Sequence, residues 1–121
     1  WDTREAMNLS SITADPQVDE IELSGLTPIA STLVAAPRIQ EAPVHLECRY
    51  LKTVEIPGWS DADSYKVIFG EVIGVHIDDS VINEEGLVEV RKMGIISRLG
   101  YDDYARIDES SIFSLQRPKP R

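Results

Sequence analysis

The sequence holds little cysteine and histidine, the residues on which disulfides and many metal sites depend. Its 121 residues include one cysteine and two histidines, which excludes an internal disulfide and a metal site built on cysteine pairs. Several common catalytic signatures are also missing, namely the Gly-x-Ser-x-Gly elbow, the Gly-x-x-x-x-Gly-Lys loop and the His-Glu-x-x-His motif. We therefore expect no metal site, and no catalytic residue is evident.

Positive charge and long apolar runs are scarce as well. The 12 basic residues stand against 21 acidic ones, and a formal net charge of −9 repels the phosphates of nucleic acids. No apolar run approaches the ~20 residues that span a bilayer, and no signal segment is recognisable. We therefore expect a cytoplasmic protein that binds neither nucleic acid nor membrane.

What the sequence does contain fits one domain with a core. The apolar fraction is 42%, and 121 residues are enough for one domain but too few for two. The chain begins Trp1-Asp2-Thr3, without an initiator methionine. This start favours a fragment, a processed chain or a split gene product over an arbitrary chain boundary.

Two short helices are predicted near the start, over residues 2–12 and 16–24. Asp2 and Glu5 have the spacing of a capping box for the first helix. Asp15 is the expected N-cap of the second, and Gly25 is expected to end it.

The middle of the chain alternates between apolar and polar residues, which is typical of a β-strand. The alternation runs over Val44–Ile56 and is broken only at Leu51 and Lys52. It predicts a strand with one buried face, and Cys48 lies on that face.

A second strand is predicted over Tyr65–Asp78, joined to the first through the loop Pro57–Ser64 as an antiparallel hairpin. It is apolar on both faces, which indicates a central position in a sheet. Gly70 and Gly74 permit sharp coiling or close backbone approach, which favours a barrel over a flat sheet.

Three polar features of these strands have structural interpretations. Glu71 interrupts an apolar face, so we expect it to pair with an arginine or with several backbone amides. His45 is interpreted as a surface residue, and His76 as a hydrogen-bonded structural residue. The acidic loop Asp78–Gly86 lacks the ligand spacing of an EF-hand and is interpreted as a solvated turn.

The remaining elements are short. A turn of helix is predicted over Val88–Met93, and strands over Gly94–Arg98 and Tyr104–Ile107. The stretch Arg98–Tyr104 combines a guanidinium, a glycine and two phenols, a set that suits a flat anionic ligand. The tail Arg117–Arg121, with its two prolines, is expected to be extended.

Five segments in order resemble the flavin-reductase-like, FMN-binding split-barrel family. They are Trp1–Ser11, Val18–Thr27, Ala36–Cys48, Phe69–Asp79 and Arg98–Ala105. The resemblance implies a fold that is mainly β with short helices, a Greek-key FMN-binding split barrel whose N-terminal strands are absent from this chain. On this basis residues 1–110 form the C-terminal part of the domain, and 111–121 form an extended tail.

The resemblance also implies an activity and partners. Family members typically pass a hydride from NAD(P)H to flavin, and some supply reduced flavin to a partner oxygenase. They dimerise, with FMN near the dimer interface. We therefore expect a homodimer or a complementing N-terminal segment. Two further possibilities stay open: a non-catalytic subunit that acts by binding a partner, and a barrel that binds a planar ligand without turnover.

Some family features are missing here. The segment that supplies the early strands and much of the FMN site in the family has no counterpart in this chain. Where some flavin reductases carry a Gly-Asp-His triplet for nicotinamide, this chain reads Ser64-Tyr65-Lys66, which argues against a standard NADH site. We therefore expect the chain alone to bind FMN weakly. The FMN-side candidates offered by the resemblance, for each of which a structural role is also open, are Ser10, Ser11, Arg98, Gly100, Tyr101 and Tyr104.

Overall fold

A computed structural model describes residues 1–60 and 64–120. They form two compact units: a terminal unit of Trp1–Gly25 with Asp78–Arg121, and a hairpin unit of Leu26–Ile77. In chain order the helices and strands are α1 (Arg4–Leu9), α2 (Glu20–Leu23), β1 (Pro28–Ile29), β2 (Arg38–Ile39), β3 (Val44–Pro57), β4 (Ser64–Ile77), β5 (Ile96–Arg98) and β6 (Tyr104–Arg106). The architecture is mainly β with short helices, as the sequence predicts.

The long hairpin predicted from the alternation is confirmed. Strands β3 and β4 pair antiparallel from Val44 opposite Ile77 to Pro57 opposite Ser64. The pairing shifts twice, between Glu47 and Cys48 and between Tyr50 and Lys52. The second bulge leaves Leu51 without a partner, which explains why the alternation of the sequence breaks there. Residues 61–63 of the predicted loop lie outside the described residues.

The predicted burial of this hairpin is wrong. Cys48 is exposed, and the Glu71 side chain is 51% exposed, although its predicted arginine partner is present because Arg49 Nη2 lies 2.6 Å from Glu71 Oε2. The physical reason is that no other strand of residues 1–60 and 64–120 pairs with β3 or β4. Both edges of the hairpin therefore stay unpaired, and the sheets do not close into a barrel.

The helix starts also differ from the prediction. Thr3 precedes α1 and makes no side-chain cap hydrogen bond, so the capping box of Asp2 and Glu5 does not form. Asp19, not Asp15, caps α2, with its carboxylate accepting from two backbone amides of the first turn. Asp15 instead accepts from the amide of Gln17 at 3.0 Å, because a short acidic side chain readily closes its own local turn.

The end of α2 and the elements of the C-terminal region are largely as predicted. Gly25 follows α2 in the left-handed conformation, with φ 68°. Short 3-10 helices span Asp79–Val81, Val90–Met93 and Glu109–Ser111. Strands β5 and β6 lie within the two predicted segments, and residues 112–120 belong to neither a helix nor a strand.

Candidate functional site

A pocket of about 320 Å³ lies between α1 and the β5–β6 hairpin of the terminal unit. This volume falls at the lower end of the ~300–1,000 Å³ range of small-molecule sites. Its lining residues are Trp1, Arg4, Glu5, Met7, Asn8, Ile96, Arg98, Asp102 and Tyr104.

Local geometry brings these residues together. Trp1, Arg4 and Met7 follow one another at a spacing of three, which places them along one side of the first helical turns. On the other wall, Arg98 stands opposite Tyr104 in the antiparallel β5–β6 register. Cross-strand partners project on the same face of a sheet, so these two side chains meet.

Arg98 is held in position by two hydrogen bonds. Its Nη1 donates to the Tyr104 hydroxyl at 2.7 Å, and its Nη2 donates to the Tyr101 carbonyl at 2.7 Å. The guanidinium carbon also lies 5.3 Å from the centroid of the Tyr104 ring. A guanidinium has five N–H donors, so a side chain fixed by two of them can still donate to a ligand.

Two further guanidiniums contact the indole of Trp1. The Arg4 Cζ atom lies 4.1 Å from the ring centroid, and the Arg106 Cζ atom lies 4.8 Å from it. Both distances are typical of cation–π contacts, and these contacts hold the ring in place between α1 and β6. The pocket thus has one aromatic wall at Trp1 and a second at Tyr104.

The charges of the pocket nearly cancel. Arg4 and Arg98 are offset by Glu5 and Asp102, and the Arg4 Nε atom already lies 3.4 Å from Glu5 Oε1. Such a lining favours the polar edge of a flat ring, which needs donors and stacking surfaces. It is less suited to a phosphate group of about −2 charge, which needs several cations or amide donors.

The predicted site residues fall into two groups. Arg98 and Tyr104 line the pocket, whereas Gly100 and Tyr101 lie in the turn above it, with Tyr101 94% exposed and in the left-handed region at φ 57°. Ser10 and Ser11 follow α1 and donate their hydroxyls to the carbonyls of Met7 and Asn8, at 2.9 and 2.7 Å. Neither serine is among the residues that line the pocket.

Sequence reasoning missed seven of the lining residues: Trp1, Arg4, Glu5, Met7, Asn8, Ile96 and Asp102. The spacing of Trp1, Arg4 and Met7 was a usable signal for one helical face. Nothing in the sequence signalled that this face would meet β5, because the two segments are about 90 residues apart and only the fold brings them together.

The hairpin unit contains a second cluster, around the carboxylate of Glu47. This residue is 2% exposed and accepts hydrogen bonds from the backbone amides of Thr32, Leu33 and Val34, at 2.8, 2.6 and 3.2 Å. The His76 Nε2 atom lies 2.5 Å from Glu47 Oε1. The hydrogen bond from Thr32, followed by those from Leu33 and His76, lowers the pKa of Glu47 from 4.5 to about 2 despite its burial.

Sequence reasoning assigned Glu47 to the wetter strand face and did not single it out. Its partners are backbone amides 13 to 15 residues away, so no side-chain motif reports them. The prediction of a hydrogen-bonded structural His76 is confirmed. His45 is half-buried, and its Nε2 atom lies 2.7 Å from the Ile39 carbonyl.

The described part of the chain contains neither a metal-binding cluster nor a membrane-spanning helix. Within residues 1–60 and 64–120, no three histidine, cysteine or acidic side chains are grouped so that they could hold a metal ion. In the same part of the chain, no helix has the length and apolar character to cross a membrane.

Fold and pocket define a small, mainly β domain with an aromatic site that contains a fixed guanidinium. The chain belongs to the flavin reductase like domain family, whose model matches residues 2–97. This finding confirms the resemblance drawn from the five sequence segments.

Relatives of this chain are longer than it is. Uncharacterized proteins of Halalkalibacterium halodurans and Aquifex aeolicus are 31% identical over 114 residues and 36% identical over 102 residues. These alignments cover 94% and 84% of this chain but 53% and 49% of the relatives. The chain thus spans about half the length of the curated relatives it matches.

Solved structures support the fold. Nitrilotriacetate monooxygenase component B from Bacillus cereus is similar with a TM-score of 0.80 and 29% identity, over 91% of this chain and 53% of that one. For 2-nitrobenzoate 2-nitroreductase from Pseudomonas fluorescens the TM-score is 0.74 and the identity 26%, over 98% and 55% of the two chains. A Shewanella frigidimarina protein with a split barrel domain is 20% identical, with a TM-score of 0.78 over 97% and 56%, which shows the fold alone.

Proposed function

We propose that this chain is part of an FMN-binding, flavin-reductase-like oxidoreductase that passes electrons from NAD(P)H to flavin or to another acceptor. Membership of the flavin reductase like family supports a flavin as cofactor or substrate. The observation on this chain that carries the proposal is the Arg98 guanidinium, fixed by Tyr104 and Tyr101 at the edge of an aromatic pocket.

The residues present fit the ring of a flavin better than its phosphate. Trp1 and Tyr104 offer flat aromatic surfaces, Ile96 adds an aliphatic contact, and Arg98 offers N–H donors to ring oxygen or nitrogen. The nearly balanced charge of the pocket gives a phosphate little attraction. When bound, the flavin itself supplies the redox chemistry, and the protein sets its position and electronics.

This fit supports weak binding of FMN by the chain alone. Ser10, Ser11, Gly100 and Tyr101 remain part of the proposal. We propose that they lie near the flavin and contact it only in the full assembly. We retain NAD(P)H as the proposed electron donor, with Ser64-Tyr65-Lys66 arguing against a standard nicotinamide site.

The open hairpin supports the proposal that this chain works in an assembly. Twelve large apolar side chains of β3 and β4 are exposed, each by roughly half: Leu46, Tyr50, Leu51, Val54, Ile56, Tyr65, Val67, Ile68, Phe69, Val72, Val75 and Ile77. At about 150 Å² for a large side chain they expose on the order of 900 Å², divided between the two faces of the hairpin. Over the two faces together, that is about one partner's share (~800 Å²) of a standard interface.

We propose a homodimer or a complementing N-terminal segment as what covers this surface. In this proposal residues 1–110 are the C-terminal part of a split-barrel domain, 111–121 are an extended tail, and the protein is cytoplasmic. A partner oxygenase is also proposed, supported by the similarity to component B of nitrilotriacetate monooxygenase. The same exposed surface favours the alternative function, a non-catalytic subunit that acts by binding its partner.

A flavin titration of the full 121-residue chain tests the proposal. We expect FMN to bind weakly, and Arg98→Ala to weaken it further. Arg91→Ala is the matched control, because Arg91 is an exposed arginine that does not line the pocket. Equal effects of the two substitutions, or no flavin binding with or without a second chain, would contradict the flavin assignment. NAD(P)H oxidation by the loaded protein then separates the oxidoreductase from the non-catalytic alternative.

A further inference from the structure

The hairpin unit holds a buried anion that the proposed flavin chemistry does not use. The Glu47 carboxylate lies on β3 beneath the segment Ser31–Val34, which we term the strap. Three consecutive amides of the strap, those of Thr32, Leu33 and Val34, donate to this one carboxylate. Successive amides that converge on one point form a nest, a backbone concavity that binds anions.

The loop that carries the strap is closed by its own hydrogen bonds. The Ser31 hydroxyl donates to the Ala36 carbonyl at 2.6 Å, and Arg38 donates from Nε and Nη2 to the Ala30 carbonyl at 3.3 and 3.0 Å. The Ser31 contact shapes the loop without Glu47, whereas Arg38 also lies 4.0 Å from the Glu47 carboxylate. The amides of the strap are therefore presented together, and the carboxylate fits into a concavity that the loop itself forms.

The packing of Leu33 contributes little to the position of the strap. Leu33 lies over Gly74, so closely that a Cβ there would be 2.9 Å from Leu33 Cδ1. Yet Leu33 is 56% exposed, so most of its side chain gains nothing from this contact. The absence of a side chain at Gly74 gives the strap room, and three hydrogen bonds to Glu47 connect it to β3.

One charged or titratable side chain of β4 and one of β2 face Glu47. His76 on β4 lies 2.5 Å away, and the Arg38 Nε atom on β2 lies 4.0 Å away. The His45 ring stands edge-on to His76, with the ring centroids 6.2 Å apart. Each of these groups either donates to an anion or can carry positive charge, and Glu47 supplies the negative charge that they surround.

We propose that the amides of Thr32, Leu33 and Val34 form, with His76, an anion-binding nest whose resident ligand is the Glu47 carboxylate. The negative charge of Glu47 locks the strap to the hairpin base, and a small external carboxylate such as formate takes its place when the side chain is removed. This inference goes beyond the proposed function and does not depend on flavin binding.

The test is an NMR measurement of the three strap amides in the full 121-residue chain. In Glu47→Gln we expect their hydrogen exchange to accelerate by at least about tenfold, the factor that a hydrogen bond to a charged group supplies. Glu41→Gln is the matched control, because Glu41 also accepts from a backbone amide, that of Thr27, but is exposed. That control should leave the strap amides unchanged. Unchanged protection in Glu47→Gln would show that packing holds the strap and would overturn the proposal.

A rescue experiment tests the nest itself. In Glu47→Ala we expect added formate to restore the strap amide shifts, and chloride at equal ionic strength to leave them displaced. Rescue by neither anion, or by both equally, would refute a carboxylate-binding nest. If Glu47→Ala does not fold, an acid titration of the wild-type chain replaces it. The three amide shifts must then change together with the ¹³C shift of the Glu47 carboxyl. Amide shifts that stay constant while this carboxyl is protonated would equally overturn the proposal.

Discussion

The Arg98 guanidinium donates to the Tyr104 hydroxyl at 2.7 Å, directly across the register of β5 and β6. The phenol thereby orients a cation at the edge of the pocket before any ligand arrives. Orientation of this kind reduces the entropy that binding must take from the side chain.

Removing this hydroxyl should weaken flavin binding while leaving the ring in place. For Tyr104→Phe we expect an increase of about fivefold in the dissociation constant of FMN, since one hydrogen bond contributes about 1 kcal/mol. Fluorescence titration measures it. Tyr65→Phe, in the hairpin unit, is the matched control and should have no effect. Equal FMN affinity of Tyr104→Phe and wild type would show that the hydroxyl does not contribute to flavin binding.

Trp1 should report ligand binding by its fluorescence. The protein has two tryptophans, and Trp59 is fully exposed whereas Trp1 lines the pocket. In Trp59→Phe, which leaves Trp1 as the sole emitter, we expect flavin to quench the emission as it binds. In Trp1→Phe the remaining emission should show only the weak, linear quenching of free collision. Saturable quenching in Trp1→Phe would place the ligand elsewhere.

Acid should weaken the fold partly through Glu47. Its pKa in the folded protein is about 2, below its ordinary 4.5, so its contribution is present above pH 4.5 and is lost as the pH falls towards 2. Denaturant unfolding of wild type and Glu47→Gln at pH 7, 4 and 2.5 measures the contribution of Glu47 to the free energy of unfolding. We expect the gap between the two free energies of unfolding to shrink at each step.

Other carboxylates do not disturb this comparison. Hydrogen bonds from Thr27, Ser80 and Ser110 lower the pKa of Glu41, Asp78 and Asp108, respectively. These groups titrate in both proteins and cancel in the difference. A gap that stays constant from pH 7 to 2.5 would mean that the charge of Glu47 does not contribute to stability.

The exposed hairpin should drive association. We expect the chain to sediment as a dimer or larger species, and Ile68→Lys to shift it towards the monomer by at least tenfold in dissociation constant, as central apolar interface residues do. Leu87→Lys is the matched control, because Leu87 is similarly exposed but lies in the terminal unit. A monomeric wild-type chain, or equal effects of both substitutions, would contradict the proposed assembly.

The sequence predicted the elements of this fold better than their surroundings. The alternation over Val44–Ile56 and the two-sided apolar run after it predict β3 and β4 to within two residues, because strand formation depends on local pattern. Burial depends on what packs against a strand, so Cys48 and Glu71 were predicted to be buried although both are exposed. A backbone nest has no side-chain signature, and Glu47 could not be recognised from its neighbours in sequence.

The candidate site could likewise be predicted only in part. Arg98 and Tyr104 stand six residues apart on a predicted turn, so their meeting could be predicted from local pairing. The wall made by Trp1 and Arg4 depends on a contact between distant segments, and no pattern within either segment reports it.

The two bulges of the long hairpin cancel each other. The pairing moves from Glu47 opposite Gly74 to Cys48 opposite Val72, which leaves Ile73 over on β4, and it then skips Leu51 on β3. Because each strand carries one extra residue, the register at the tip of the hairpin is the same as the register at its base. A deletion of Ile73 or of Leu51 alone should therefore keep every cross-strand pair and remove only the local bend and extra twist of that bulge.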